Sequence, residues 1–223
     1  MLLLRKALLT IKEEGLRSFI VKTIAHIIEA TICSNSADWY HLDINDYIQH
    51  QKHTTNDDIN ITVTFNDSQA TMDWLYELKS EINWLWNKKE INTAKKYSHY
   101  YILIKLNGQK AGCIKVGGSR VYITDFDREI VLPENTAFIY DTFIHADFRG
   151  HRLATRLVNE TLTFLAIQGY SYVWCHIPRW NHASIKTYKK CGFLPVTYIR
   201  YFRFMFWSFY SKHPEKVFQN LIK

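Results

Sequence analysis

The stretch Ile144–Leu162, IHADFRGHRLATRLVNETL, carries an apolar strand straight into an amphipathic helix, with three arginines and one glycine at the junction. Beyond it Leu153, Leu157, Leu162 and Leu165 recur at helical spacing as far as the breaker Gly169, and YSYVWCHIP (170–178) reads as a second strand. A strand–helix–strand unit of this kind makes a right-handed crossover between parallel strands of one sheet, so the fold class is α/β. The first amides of such a helix have no intrahelical acceptor and sit at the positive end of its dipole, which suits anionic oxygen. Gly150 lets backbone approach a ligand closely. Arg149, Arg152 and Arg156 can add charge-assisted bonds to phosphate, the alternative being a solvated helix start.

Outward from the junction the elements alternate. INITVTF (59–65) is strand-like, and NDSQATMDWLYELKSEINWLW (66–86) opens on the cap residues Asp67 and Ser68 and continues with helical periodicity. YYILIKLNGQKAGCIKV (100–116) reads as a hairpin about Asn107-Gly108, followed by RVYITDF and TAFIYDTFIH as further strands. After the crossover, NHASIKTYKKCGF (181–193) is a short helix ending at Gly192, and FLPVTYIRYFRFMF is an aromatic-rich last strand. Before all of this, residues 2–30 read as one amphipathic helix with Leu9, Leu16, Ile20, Ile24 and Ile27 on its apolar face. HQKHTTNDDIN (50–60) reads as a linker, which predicts an extension over residues 1–58 and a domain over 59–223.

A chain of 223 residues that is 47% hydrophobic can bury one sizeable core. Cys33, Cys113, Cys175 and Cys191 are 80, 62 and 16 positions apart, so they form neither a zinc pattern nor a disulfide framework, and a reduced, cytoplasmic protein is expected. No metal site is expected. No run of apolar residues is long enough for a membrane span. The net charge of +7 is uneven: residues 31–93 carry −6, residues 94–193 carry +7 and residues 194–223 carry +4. A basic rear half favours anionic partners. Nucleic acid is not among those expected, because the cations are scattered and no zinc-finger or RNP-like motif occurs. The amphipathic N-terminus and the stretch YIRYFRFMFWSFYSK both mix apolar and basic residues. Peripheral contact with the inner face of the membrane, packing on the domain, and a homodimer interface all fit that pattern.

On the second helix Asn181, Ser184 and Tyr188 lie three and then four positions apart and so share one face, at the carboxyl end of the sheet where ligands collect. Asn181 capping the helix and Tyr188 packing as an aromatic is the plainer alternative. Together the two segments resemble the GNAT-type N-acetyltransferase superfamily. Arg149, Gly150, His151, Arg152, Leu153 and Ala154 fit its acyl-coenzyme A signature R/Q-x-x-G-x-G/A at the first and last positions. Asn181, Ser184, Ile185, Tyr188, Lys190, Gly192 and Phe193 match N-x-x-A/S-I-x-x-Y-x-K-x-G-F. Arg152 stands where the first signature has its central glycine.

The resemblance, over roughly residues 59–206, implies a mixed sheet whose central parallel strands splay apart to admit the pantetheine arm of acetyl-coenzyme A. Backbone amides from about Arg149 to Ala154 would hold the pyrophosphate, the Ile144 amide would polarise the thioester carbonyl, Asn181 would orient the arm, and Tyr188 would protonate the leaving thiolate. Asp141 is the first candidate for the base, since a carboxylate inside FIYDTFI is costly to bury without a partner or a task. A structural ion pair with Arg179 or another nearby cation is the alternative. His145, on the same strand face as Asp141, and His176 come next. Asp73, Trp74, Glu77, Glu81, Trp84 and Trp86 form an acidic, aromatic segment that suits a cationic amine on a small molecule such as an amino sugar, or else supplies core and a solvated helix face. A longer acyl donor and a non-catalytic coenzyme A-binding module are the competing functions.

Overall fold

The computed structural model describes residues 32–50, 61–65, 68–78, 87–204 and 207–219. The expected N-terminal helix (2–30), nearly all of the expected linker, and Glu81, Trp84 and Trp86 lie outside these residues. The chain divides into two compact units, the larger Ser36–Ile199 with Lys212–Lys223, the smaller Met1–Asn35 with Arg200–Ser211.

The chain runs through β1 (Ile32–Asp43), α1 (Ile44–His50), β2 (Ile61–Thr64), α2 (Ser68–Glu77) and α3 (Lys88–Lys96) to the hairpin β3 (Tyr100–Leu106) and β4 (Gln109–Gly117). A small ribbon, β5 (Arg120–Ile123) and β6 (Arg128–Val131), precedes β7 (Thr136–Ile144), α4 (Leu153–Ile167), β8 (Tyr172–Pro178) and α5 (His182–Lys190). The chain then continues through β9 (Leu194–Phe204), β10 (Trp207–Tyr210) and α6 (Pro214–Gln219). In the larger unit the sheet order is β1–β8–β7–β4–β3–β2, in which β7 and β8 are parallel and the other neighbours antiparallel. In the smaller unit β9 and β10 pair from Tyr201↔Tyr210 to Phe204↔Trp207.

The hairpin forms where Asn-Gly predicts it, with φ of 52° at Asn107 and 79° at Gly108, the positive pair that a two-residue turn requires. The apolar stripe of α4 buries Leu153, Leu157, Val158, Leu162 and Leu165 on one sheet face. There they meet Ile102, Ile114, Val116, Ile139, Val173 and Cys175. Each fully buried leucine contributes about 2 kcal/mol of transfer free energy, which fixes the start of α4 against the ends of β7 and β8. On the opposite face Trp74 and Leu75 of α2 pack on Leu103, Cys113 and Phe143. Beside them Trp39, Phe126, Phe138 and Phe218 form an aromatic layer.

Two features were not foreseen in the sequence. Ala37–Asp43 of β1 pair residue for residue with Pro178–Tyr172 of β8, so residues that the polar linker at 50–60 seemed to set apart belong to the sheet. The alternation Ala37, Trp39 (both buried) against half-buried Asp38 is the strand signal there. The helix expected over 66–86 ends as α2 at Glu77, and α3, which was not foreseen, begins after Asn87. Asn87 caps it, its Oδ1 accepting the Lys89 and Glu90 amides at 2.9 and 3.4 Å.

Candidate active site

Strands β7 and β8 are paired only from Thr136↔Tyr172 to Ile139↔Cys175, although β7 continues to Ile144 and β8 to Pro178. Beyond that pair the two strands part. The cause lies on the other edge of β7, where the register against β4 slips between Lys115↔Asp141 and Val116↔Ile139, leaving Tyr140 as an extra residue. A bulge bends its strand and increases local twist. It also turns Asp141 to the same face as Lys115, while Thr142 and Ile144 turn to the α4 face. Gly112 opposite Ile144 permits this approach, since a Cβ there would lie 2.6 Å from the Phe143 carbonyl oxygen and against the Ile144 side chain.

The end of β7 offers backbone to the gap. The His145 amide donates to the Ala111 carbonyl at 2.9 Å, so by antiparallel alternation the Ile144 amide points away from β4, toward the parted side. Arg149 Nε donates to the Ile144 carbonyl at 3.3 Å. A 3-10 turn, Ala146–Phe148, leads to Gly150 with φ +89°, then to Arg152 with φ 56° and ψ 16° as the residue before α4. Arg152 thus adopts a left-handed conformation, which glycine takes without strain. The Arg156 amide closes the first helical bond on the Arg152 carbonyl at 3.1 Å, and the Leu153, Ala154 and Thr155 amides have no acceptor among the described residues. Arg156 itself forms an ion pair with Glu160 at 2.7 Å. His151 and Arg152 are exposed.

Tyr188 reaches this region from α5. Its hydroxyl is 2.6 Å from Thr142 Oγ1, its ring packs on Phe193, and it is buried. Burial pushes the phenol well above its usual value, so it carries its proton at neutral pH. Asn181 caps α5, its Oδ1 accepting the Ser184 amide at 3.1 Å.

Asp141, on the opposite face of β7 from Tyr188, is tied to Lys115 Nζ at 2.9 Å. Its partner is therefore not Arg179, which grips Asp38 with Nε and Nη2 at 3.0 and 2.8 Å. Asp141 Oδ1 has no hydrogen bond among the described residues. Lys115 is buried to 1% exposure and also donates to Glu90 Oε1 at 2.8 Å. Desolvation works against the Lys115 charge, but Asp141 and Glu90 together outweigh it and hold the ammonium protonated. Burial, and then the charge of Asp141, push Glu90 up to about 7 against the pull of Lys115. Sequence reading found Asp141 but neither Lys115 nor Glu90. The signal for the first was a lysine inside the apolar run CIKV. For the second it was Asn87-x-x-Glu90, a helix-start pattern.

The two histidines are occupied elsewhere. His145 Nδ1 accepts the Asp147 amide at 3.4 Å, seating the 3-10 turn, and its ring stands near Phe143 and Phe148. His176 Nε2 meets Asp125 at 3.1 Å and its ring stacks on Phe138, within the aromatic layer. Burial raises the Asp125 carboxyl, yet the bond to His176 leaves it below its usual value.

A model of the acetyltransferase (GNAT) family matches residues 63–193. The chain belongs to this family. The match takes in the parted strands, the helix start and all of α5. No curated protein matches the sequence. Among solved structures, a GCN5-related N-acetyltransferase from Kribbella flavida aligns over 85% of this acetyltransferase chain and 63% of its own, at 11% identity and a TM-score of 0.51. A Drosophila protein aligns over 83% and 56%, at 12% and 0.51. The ribosomal-protein-S18-alanine N-acetyltransferase of Escherichia coli aligns over 61% and 79%, at 16% and 0.47. At 11–12% identity the first two alignments show a shared fold alone. Among the described residues no helix is long and apolar enough to cross a membrane.

Proposed function

We propose that this GNAT protein transfers an acetyl group from acetyl-coenzyme A to a primary amine on a small molecule, of the kind an amino sugar presents, by direct attack in a ternary complex. The observation that carries the reading is the end of β7–β8 pairing at Ile139↔Cys175, with Tyr188 on one side of the opening and Asp141 on the other.

The chain's own groups fit such a donor. The acceptor-free amides of Leu153, Ala154 and Thr155, with Arg149, Gly150, His151 and Arg152 beside them, suit a pyrophosphate. The Ile144 amide, turned to the opening, would polarise a carbonyl seated there, an interaction that strengthens as negative charge develops on oxygen. When bound, acetyl-coenzyme A supplies an activated acyl group on a thiolate leaving group. Tyr188, neutral because buried, would give that thiolate a proton, with Thr142 orienting its hydroxyl. Asn181 and Ser184 would hold the start of α5 along the pantetheine arm. The amine must lose a proton to attack, and Asp141 is preferred as its acceptor over His145 and His176. Its Oδ1 is unpartnered among the described residues, whereas the histidines hold a turn and an aspartate.

Acetyl-coenzyme A at one hundred times its dissociation constant would stabilise the protein by about 2.7 kcal/mol, a rise in melting temperature of roughly 5–10 °C. Coenzyme A should act similarly. No shift with coenzyme A, acetyl-coenzyme A or longer acyl forms would remove the reading.

A further inference from the structure

Two carboxylates share one buried ammonium beside the opening, an arrangement that a single ion pair does not explain. Glu90 on α3 and Asp141 on β7 reach Lys115 Nζ from different elements, at 2.8 and 2.9 Å. Their side chains are 5% and 18% exposed, so Glu90 is the inner member and Asp141 the one nearer solvent. Thr124 Oγ1, in the turn after β5, donates to the second Glu90 oxygen at 3.0 Å. With both carboxylates ionised the three groups carry net −1, and with one proton they are neutral.

We infer that Glu90 is a positioning residue for the proposed transfer, setting through Lys115 how strongly Asp141 accepts a proton. The inference rests on the acetyl-transfer reading for its purpose, and on geometry for its mechanism. While Glu90 is ionised, Lys115 divides its charge between two carboxylates, and Asp141 Oδ1 is left to take the proton of the amine. The amine N–H bond then breaks with its electron pair left on nitrogen, and the proton forms a bond to Asp141 Oδ1. Once Glu90 is protonated, the whole ammonium charge faces Asp141 and opposes that transfer. The cluster thus turns the base on as pH rises through the Glu90 titration, near 7.

The surrounding groups leave Glu90 with few other charges. Tyr101 on β3 and Tyr140 on β7 face the cluster as neutral phenols, both pushed up chiefly by burial. Tyr140 is held by His99 Nδ1 at 3.0 Å, and burial lowers His99 so that the ring is neutral. Lys89, next on α3, pairs with Asp127, which also binds Tyr122 of β5. Glu129 of β6 is engaged by Arg120 at 3.0 Å and by Thr93 Oγ1 at 3.4 Å. Among the described residues, Asp141 and Lys115 are therefore the charges that touch Glu90 directly.

The coupling is reciprocal, so the effect of Glu90 on Asp141 can be read from the effect of Asp141 on Glu90. Carboxyl infrared or carbon-13 titration of the free protein, with Glu90→Gln assigning the signal, should show Glu90 titrating near neutrality. In Asp141→Asn that titration should move to lower pH by a tenfold or greater change in proton affinity. A change of less than twofold, or a Glu90 that stays ionised below pH 5, overturns the inference. In transfer assays against amines, Glu90→Gln, which keeps the Lys115 and Thr124 contacts, should lower kcat by 10- to 100-fold, leave the acetyl-coenzyme A KM unchanged, and abolish the neutral limb of the pH profile. A wild-type profile also overturns it. Because the titration needs neither donor nor acceptor, it decides the coupling even if the transfer reading fails.

Discussion

Replacing Arg152 with glycine should make the free protein more stable and its hold on coenzyme A weaker. Arg152 sits at φ 56°, ψ 16° and is exposed, and its side chain caps nothing and makes no hydrogen bond or ion pair among the described residues. A residue with a Cβ in this conformation costs about 1–2 kcal/mol. Glycine removes that strain but returns about 0.5–1 kcal/mol through the greater freedom of the unfolded chain. The net gain is about 0.5–1 kcal/mol, a rise of roughly 1–4 °C in melting temperature for a chain of this size. Arg152→Ala keeps the strain and serves as the control, staying within about 0.5 kcal/mol of wild type. Calorimetry of the free proteins gives the first reading. If the Arg152 guanidinium meets pyrophosphate, as its place in the junction suggests, both variants lose a charge-assisted bond of about 1.5–3 kcal/mol, or roughly 10- to 100-fold in affinity by titration calorimetry. Arg152→Gly no more stable than Arg152→Ala would refute the strain argument. Unchanged affinity in both would refute the contact.

Tyr188→Phe keeps the packing on Phe193 but leaves Thr142 without its hydroxyl partner; kcat should fall by about 10²-fold or more while the thermal shift with coenzyme A persists, and near-normal turnover would remove the acid role. Gly112→Ala forces a methyl to within 2.6 Å of the Phe143 carbonyl oxygen, and denaturant unfolding should show a loss of about 2–3 kcal/mol. Glu90 is raised to about 7 in the fold, so between its ordinary value and 7 the folded state binds more protons than the unfolded one, and stability falls as pH rises through that window. Glu90→Gln should therefore lose less stability between pH 5 and pH 8 than wild type, by roughly 1–3 kcal/mol, and parallel pH curves for the two proteins would refute the burial argument.

The crossover, the Asn-Gly hairpin and the two motifs were legible because each is local: a period, a turn dipeptide or a fixed spacing carries it. Asp141 was legible as a misfit in an apolar strand, but its partner was not, because nothing local says which cation a bulge brings opposite. Lys115 and Glu90 meet Asp141 from positions 26 and 51 residues earlier in the chain. Arg152 read as a departure from a pattern. Its backbone explains the pattern, since the position demands a left-handed residue whatever its side chain does. The roles of His145 and His176 rested on intrinsic acidity alone, and their partners Asp147 and Asp125 give each a structural task. β1 escaped notice because the polar run 50–60 separates it from every other strand.

That strand has a consequence for how the protein assembles. β8 is flanked by β7 on one side and by Ala37–Asp43 on the other, so one of its neighbours is synthesised some 130 residues before it. β1 must wait, apolar and unpaired, until the crossover helix and β8 have been made, and such distant pairings form slowly. A fragment beginning at Ile59 would keep both motifs and every candidate catalytic residue, yet would carry the bare edge of β8 along its middle, a template for pairing with other chains. Such a fragment should aggregate, whereas one retaining Ser36 onward should fold.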